Sequence, residues 1–237
     1  MPPSQEVERI ERVYAERARR LPADFYSIMK PGNLYRLQRR ERDLLALLHR
    51  EGFADLDGVT VLDVGCGTGD DLRQMLRYGA RSEHLVGVDV QSDRLSRARD
   101  LSPHLRFELI DGGVLPFPTG SFDLVMQSTV FSSILDHGVQ ARLAQEMLRV
   151  LSPGGAIIWY DMRVTNPRNS NLTPLTLDRI EALFPDCELH LKPHTLIPAL
   201  GRRLAPLSWT LCRALEALPP LRGHLLGAIR PHGTVRS

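Results

Sequence analysis

Residues 61–71 read VLDVGCGTGDD, and the reading of this stretch decides the fold. An apolar run over 59–64 ends at Asp63 and Val64, opens into Gly65-Cys66-Gly67-Thr68-Gly69, and is followed by the charged pair Asp70 and Asp71. A short apolar run closed by glycines reads as a buried strand leading into a tight turn. Glycines allow that turn and let backbone N–H groups come close to a ligand. The spacing predicts a strand over 59–64, the loop, and a helix over 69–78.

The same grammar continues outward. Strands are expected at 84–89, 105–110, 122–127, 155–161, 187–191 and 223–230, and helices at 92–101, 137–151 and 176–184. Short apolar strands alternating with helices imply an α/β fold, a parallel sheet with helices on both faces. In such a sheet ligands bind beyond the carboxyl ends of the strands. Before residue 58 the pattern differs. Val7, Ile10, Val13 and Tyr14 make one helical stripe, and a second amphipathic helix ends near Gly52. The expected organisation is an N-terminal helical cap segment over 1–57 and a main domain over 58–237. Within the latter, a Pro-punctuated, apolar helical insertion covers about 193–222.

Composition narrows the function classes. The chain has 237 residues and a formal charge of +2, with 43% hydrophobic and 24% charged residues. That balance argues against nucleic acid or an anionic membrane as partner. Cys66, Cys187 and Cys212 are scattered, so no metal site is expected, and isolated thiols suit a reducing cytoplasm. The polar N-terminus gives no signal peptide, and no uncharged apolar run is long enough to span a membrane.

The carboxylates sharpen the glycine loop. In a dinucleotide fold a helix N-terminus receives a pyrophosphate, and Asp63, Asp70 and Asp71 would repel that anion. They do not oppose a ligand carrying a cationic amine and a sulfonium, which Asp63 would attract. Asp89 ends the next strand about 20 residues on, where an acidic residue can accept both hydroxyls of a ribose. Asp111 ends the third, where a carboxylate can receive an adenine amino group. In order, VLDVGCGTG, GVDVQSD, IDGGVLPFPTGSFDLVMQ and EMLRVLSPGGAIIWYD resemble the class I S-adenosylmethionine-dependent methyltransferases, over roughly residues 56–161. The resemblance implies a Rossmann-like sheet, mostly parallel with an antiparallel last strand. It implies S-adenosylmethionine as cofactor, with Asp63, Gly65, Cys66, Gly67 and Gly69 on its methionine part. Asp89 and Val90 would take its ribose, Asp111 and Gly112 its adenine, and Gln127 would border the sulfonium.

The acceptor must then approach along the same edge. The stretch FDLVMQSTVFSSILDH, residues 122–137, runs a strand into hydroxyls that are poor bases. His137 and Asp161 are the candidates for general base. Ser128, Tyr160, Arg163 and Asn166 are candidates for the acceptor wall. A polar loop over 160–171 suits a hydroxylated, glycan-type acceptor methylated on oxygen, as in polysaccharide or natural-product pathways. The apolar insertion, with Arg202 and Arg203, suits a lipid-linked one, or a dimer surface. C- or N-methylation of a lipid, quinone or peptide is the competing enzyme reading. A binding module that keeps the cofactor but has no catalysis is the competing class.

Overall fold

The computed structural model describes residues 5–164 and 169–233. Two helices precede the sheet, α1 (Gln5–Arg20) and α2 (Pro31–Arg50). There follow β1 (Val61–Val64), α3 (Asp70–Arg77), β2 (Leu85–Asp89), α4 (Ser92–Leu101) and β3 (Arg106–Leu109). The second half runs β4 (Phe122–Ser128), α5 (His137–Val150), β5 (Leu151–Met162), α6 (Leu177–Leu183), β6 (Cys187–Leu196), α7 (Pro198–Leu204), α8 (Trp209–Glu216) and β7 (Arg222–Pro231).

One sheet holds all seven strands, in the order β3-β2-β1-β4-β5-β7-β6. Neighbours are parallel from β3 through β5, and β7 pairs antiparallel with both β5 and β6. The order reverses between β1 and β4, which is where a sheet of this kind opens a ligand crevice. The expected class, mostly parallel with an antiparallel last strand, is what forms.

Alternation along the strands divides the core. Leu62, Val64, Val125, Ile157, Trp159 and Ile229 face the layer closed by Val139, Leu143 and Met147 of α5. Val61, Met126, Ile158 and Ala228 face Leu44, Leu47 and Leu48 of α2. α5 repeats its apolar residues at helical spacing, and Asp136 caps it by accepting from the Val139 N–H at 3.0 Å.

Two strands run longer than their sequence suggests. β6 continues through Pro193 to Leu196, because β6 is an edge strand and a proline there gives up no ladder donor that the sheet requires. β5 starts at Leu151, ahead of its Pro-Gly-Gly turn, by pairing with Phe122 across a register shift. The helices between β6 and β7 therefore begin after Leu196. No helix among the described residues is long and apolar enough to cross a membrane.

Gly227 of β7 lies against the His190 carbonyl of β6, where an added Cβ would overlap backbone. Gly227→Ala should cost about 2 kcal/mol through overpacking and lower Tm by several degrees. An unchanged melting curve would show that the β6–β7 pairing opens to admit the methyl group without cost.

Candidate functional site

Gly65, Gly67 and Gly69 all take positive φ, at 71°, 56° and 80°, a region closed to most side chains. The loop is also tightly enclosed. A Cβ on Gly65 would overlap Val130 beyond β4, and one on Gly67 would overlap the Arg94 guanidinium. The Gly65 and Cys66 N–H groups donate to the Val88 carbonyl at 2.8 and 2.9 Å. Asp89 completes the turn. Its Oδ2 accepts from Gly67 N–H at 2.8 Å and its Oδ1 from Gln91 N–H at 2.9 Å. Each oxygen keeps a further lone pair for a ligand hydroxyl.

Cys66 contributes backbone only. Its sulfur wedges against Gly87 of β2, and burial pushes its thiol far up. Val90 follows Asp89 along the edge. Gly112 has φ 83°, and a Cβ there would meet Val7 of α1 at 3.0 Å and Val90 at 3.4 Å. Asp111 is exposed, and its Oδ1 accepts from Gly113 N–H at 3.0 Å. Tyr14 of α1 lies 5.1 Å from the Arg94 guanidinium, so α1 walls this edge at two points a heptad apart. Glu6 and Arg9 latch α1 to the segment after β4: Glu6 accepts from Leu135 N–H at 2.6 Å, and Arg9 donates to the Ser133 carbonyl.

Charge is concentrated under the loop. Asp63 on β1 is buried at 2% exposure, with no hydrogen-bond donor among the described residues. Burial first, then the Asp71 charge, pushes its carboxyl well above the usual range, against the pull of Arg40. Asp71 in the first turn of α3 is different. Burial opposes its ionisation, but Arg40 of α2 donates to both oxygens, at 2.7 and 2.6 Å, and holds it below the usual range. The Ser128 hydroxyl adds to that. Asp70 is exposed and pairs with Arg73 at 2.6 Å. The carboxylates expected to face a ligand together are thus unlike. Asp70 and Asp71 are paired; Asp63 is not.

The Arg40 guanidinium lies 4.7 Å from the centre of the Tyr160 ring. Tyr160 in turn stacks on His224 at 4.6 Å, and its hydroxyl meets Thr195 Oγ1 at 3.3 Å. The acceptor-wall role expected for Tyr160 needs correction here, because α2 and this stack enclose the ring. Arg163 is also tied down, donating to the carbonyls of Pro219 at 2.9 Å and Arg222 at 3.3 Å. Asn166 lies outside the described residues. Ser128 stays at the strand end, facing Asp71. Gln127 is buried; its Oε1 accepts from Val130 N–H at 3.1 Å, and its Nε2 has no partner.

Neither residue expected as base is brought to the glycine loop as a free acceptor. Asp161 is fully enclosed, with Oδ1 accepting from Met162 N–H at 2.7 Å and Oδ2 from Ser132 N–H at 3.2 Å. It shapes the turn after β4. His137, in the first turn of α5, faces Arg179 of α6 at 3.2 Å. The residues that sequence reasoning missed are Arg40 and Arg94. Arg40 carried one signal, a cation on the otherwise apolar face of α2.

Residues 61–155 match the family described as Methyltransferase domain. The 2-methyl-6-phytyl-1,4-hydroquinone methyltransferase of Synechocystis sp. is 35% identical over 122 residues, which are 50% of this chain and 36% of that one. The ubiquinone/menaquinone biosynthesis C-methyltransferase of Pseudomonas paraeruginosa is 29% identical over 67% of this chain and 59% of its own. The chain thus spans from about a third to three fifths of these relatives' length. Among solved structures, geranyl diphosphate C-methyltransferase from Streptomyces coelicolor A3(2) superposes with TM-score 0.63 at 16% identity, over 97% of this chain and 100% of that one.

Asp161 offers a pH test of this geometry. Burial first raises its carboxyl to about 6, against its hydrogen bonds. A raised acid contributes stability that is complete below its unfolded value and is lost as pH rises through the folded one. The stability of wild type relative to Asp161→Asn should fall by about 3 kcal/mol between pH 4 and 7, read from urea unfolding. A flat difference would mean that the group is not sealed.

The sheet order, the pinned glycine loop and the structural likeness give this chain the class I methyltransferase fold, the fold of S-adenosylmethionine-dependent enzymes, and residues 61–155 match the methyltransferase domain family.

Proposed function

We propose that the chain transfers a methyl group from S-adenosylmethionine to a small molecule with an apolar body, and that the methylated atom is carbon. The observation that carries the acceptor class is an apolar rim. Tyr26, Ile28 and Met29, between α1 and α2, are exposed, Met29 at 87%. They adjoin α7: Phe25 lies under Arg202 at 5.1 Å, and Gly32 touches the Arg202 backbone. Leu207, Trp209, Leu211 and Leu218 extend the exposed apolar surface across the helices between β6 and β7. Exposed apolar groups gathered at one end of a domain mark a surface for an apolar ligand. Likeness to quinone-pathway enzymes supports the same reading. The oxygen-directed, glycan-type reading drew on the polar loop after β5, and Arg163 of that loop is committed to backbone carbonyls.

In this reading Asp89 takes the cofactor's ribose. Val90, Asp111 and Gly112 border the adenine, and the Gly65–Gly69 backbone and Asp63 hold the cationic amino-acid end. Gln127 and Ser128 line the way to the acceptor. S-adenosylmethionine supplies an electrophilic methyl on a good leaving group, so alignment of the acceptor provides much of the acceleration. Val7 and Tyr14 of α1 exclude water from the cofactor edge.

The experiment is calorimetric titration with S-adenosylhomocysteine, followed by methyl-transfer assays on hydroquinones, prenylated phenols and glycans. Asp89→Ala should weaken binding at least tenfold. A ring-methylated product supports the proposal. A methyl ether or a methylated glycan would overturn the carbon assignment. Cofactor binding with no product across the panel would favour a binding module.

A further inference from the structure

β6 is the edge strand of the sheet. Leu189 and Leu191 join the apolar layer on one of its faces. The alternate residues His190, Lys192 and His194 must point to the other. That is the face on which α2 lies: its leucines share an apolar cluster with residues of β5 and β7, while its Asp43 reaches His194 of β6 at 2.8 Å. α8 meets the first half of α2, where Trp209 packs edge-on against Tyr35 at 5.6 Å and Glu216 accepts from the Tyr35 hydroxyl and from Arg39, each at 2.8 Å. Between α2, α8 and this polar strand face lies a cleft of about 440 Å³, floored by Leu226 and Gly227. That volume is in the range of small-molecule sites.

The cleft is cationic. Five arginine and lysine side chains line it, against the two carboxylates of Asp43 and Glu216. Both carboxylates already have partners: Asp43 takes His194 at 2.8 Å and Arg39 at 3.2 Å, and Glu216 takes Arg39 and Tyr35. The side chains of Lys192 and Arg213 have no acidic partner among the described residues. Arg50 has only a loose contact with Glu51, at 3.4 Å. Deeper in, Arg39 Nη1 is a buried donor without an acceptor. The Nδ1 of His194, a residue only 8% exposed, is likewise unpartnered. Folded proteins rarely leave such groups unpaired.

We propose that this cleft binds a soluble phosphate ester, at a site distinct from the cofactor edge. A phosphomonoester carries about −1.5 to −2 charges at neutral pH, which matches the excess of cations. Its oxygens accept from several donors at once, as a guanidinium fork and an ammonium require. The cleft is walled from the glycine loop by Tyr160, Thr195 and His224, all buried and joined through the Thr195 hydroxyl, which meets His224 Nδ1 at 2.8 Å. Its occupant therefore does not compete for the space of the methyl donor.

The test is titration of the full chain with inorganic pyrophosphate, at low salt, by calorimetry. Saturable binding of one pyrophosphate per chain is expected. Lys192→Glu together with Arg213→Glu should weaken it at least tenfold, while S-adenosylhomocysteine titrates both proteins alike. Those two side chains are exposed and unpaired, so the variant keeps its fold, and the second titration verifies that. Three outcomes overturn the proposal: no saturable binding to wild type at millimolar pyrophosphate, equal binding by the variant, or sulfate binding as tightly as pyrophosphate.

Discussion

The ion pair between Arg40 and Asp71 is the contact on which the arrangement of the site depends. It joins α2, outside the alternating β/α pattern, to the first turn of α3, directly after the glycine loop. Both partners are largely buried. A pair taken out of water must recover its lost hydration through good geometry, and the two parallel contacts provide it. Removing one partner would leave a bare charge beneath the loop. The guanidinium also covers Tyr160, so one residue fixes the position of α2, satisfies a helix-start carboxylate and closes the face of the sheet beside the site.

The glycine loop has the complementary constraint. Its conformation is held from below by Asp89, whose two oxygens bridge the loop and the start of α4. A carboxylate that organises its own surroundings is rigid before any ligand arrives, and such preorganisation reduces the ordering that binding requires. α1 then supplies the outer wall through Val7 and Tyr14, fastened by Glu6 and Arg9 to the segment after β4.

Much of this was legible in the sequence for a definite reason. Strand 59–64, the glycines and the helix of 92–101 follow local rules of periodicity and backbone freedom, which act within a few residues. The antiparallel β7 came only with the family resemblance. What local rules miss is pairing at long range. Nothing near Arg40 says that its partner stands 31 residues on. Asp63 at its strand end and Asp71 at its helix start both read as carboxylates open to a ligand, and only the packing of α2 shows that Arg40 pairs with Asp71. Asp161 looked like a base because it ends a strand, but Ser132 and Met162 donate to both of its oxygens. Pro193 read as a break because its strand's place at the sheet edge is a property of the whole topology.

That inequality among the carboxylates bears on what the site can hold. Burial and the neighbouring Asp71 charge raise the Asp63 carboxyl well above the usual range, against the pull of Arg40, because ionising it takes place in a poorly hydrated setting. Bringing a cation against Asp63 reverses the balance. The carboxyl ionises and the pair gains its attraction where solvent screens little. An anionic ligand gains nothing there. Under the proposed assignment, the contrast between a paired Asp71 and an Asp63 with no hydrogen-bond donor among the described residues favours the cationic end of the cofactor at this edge.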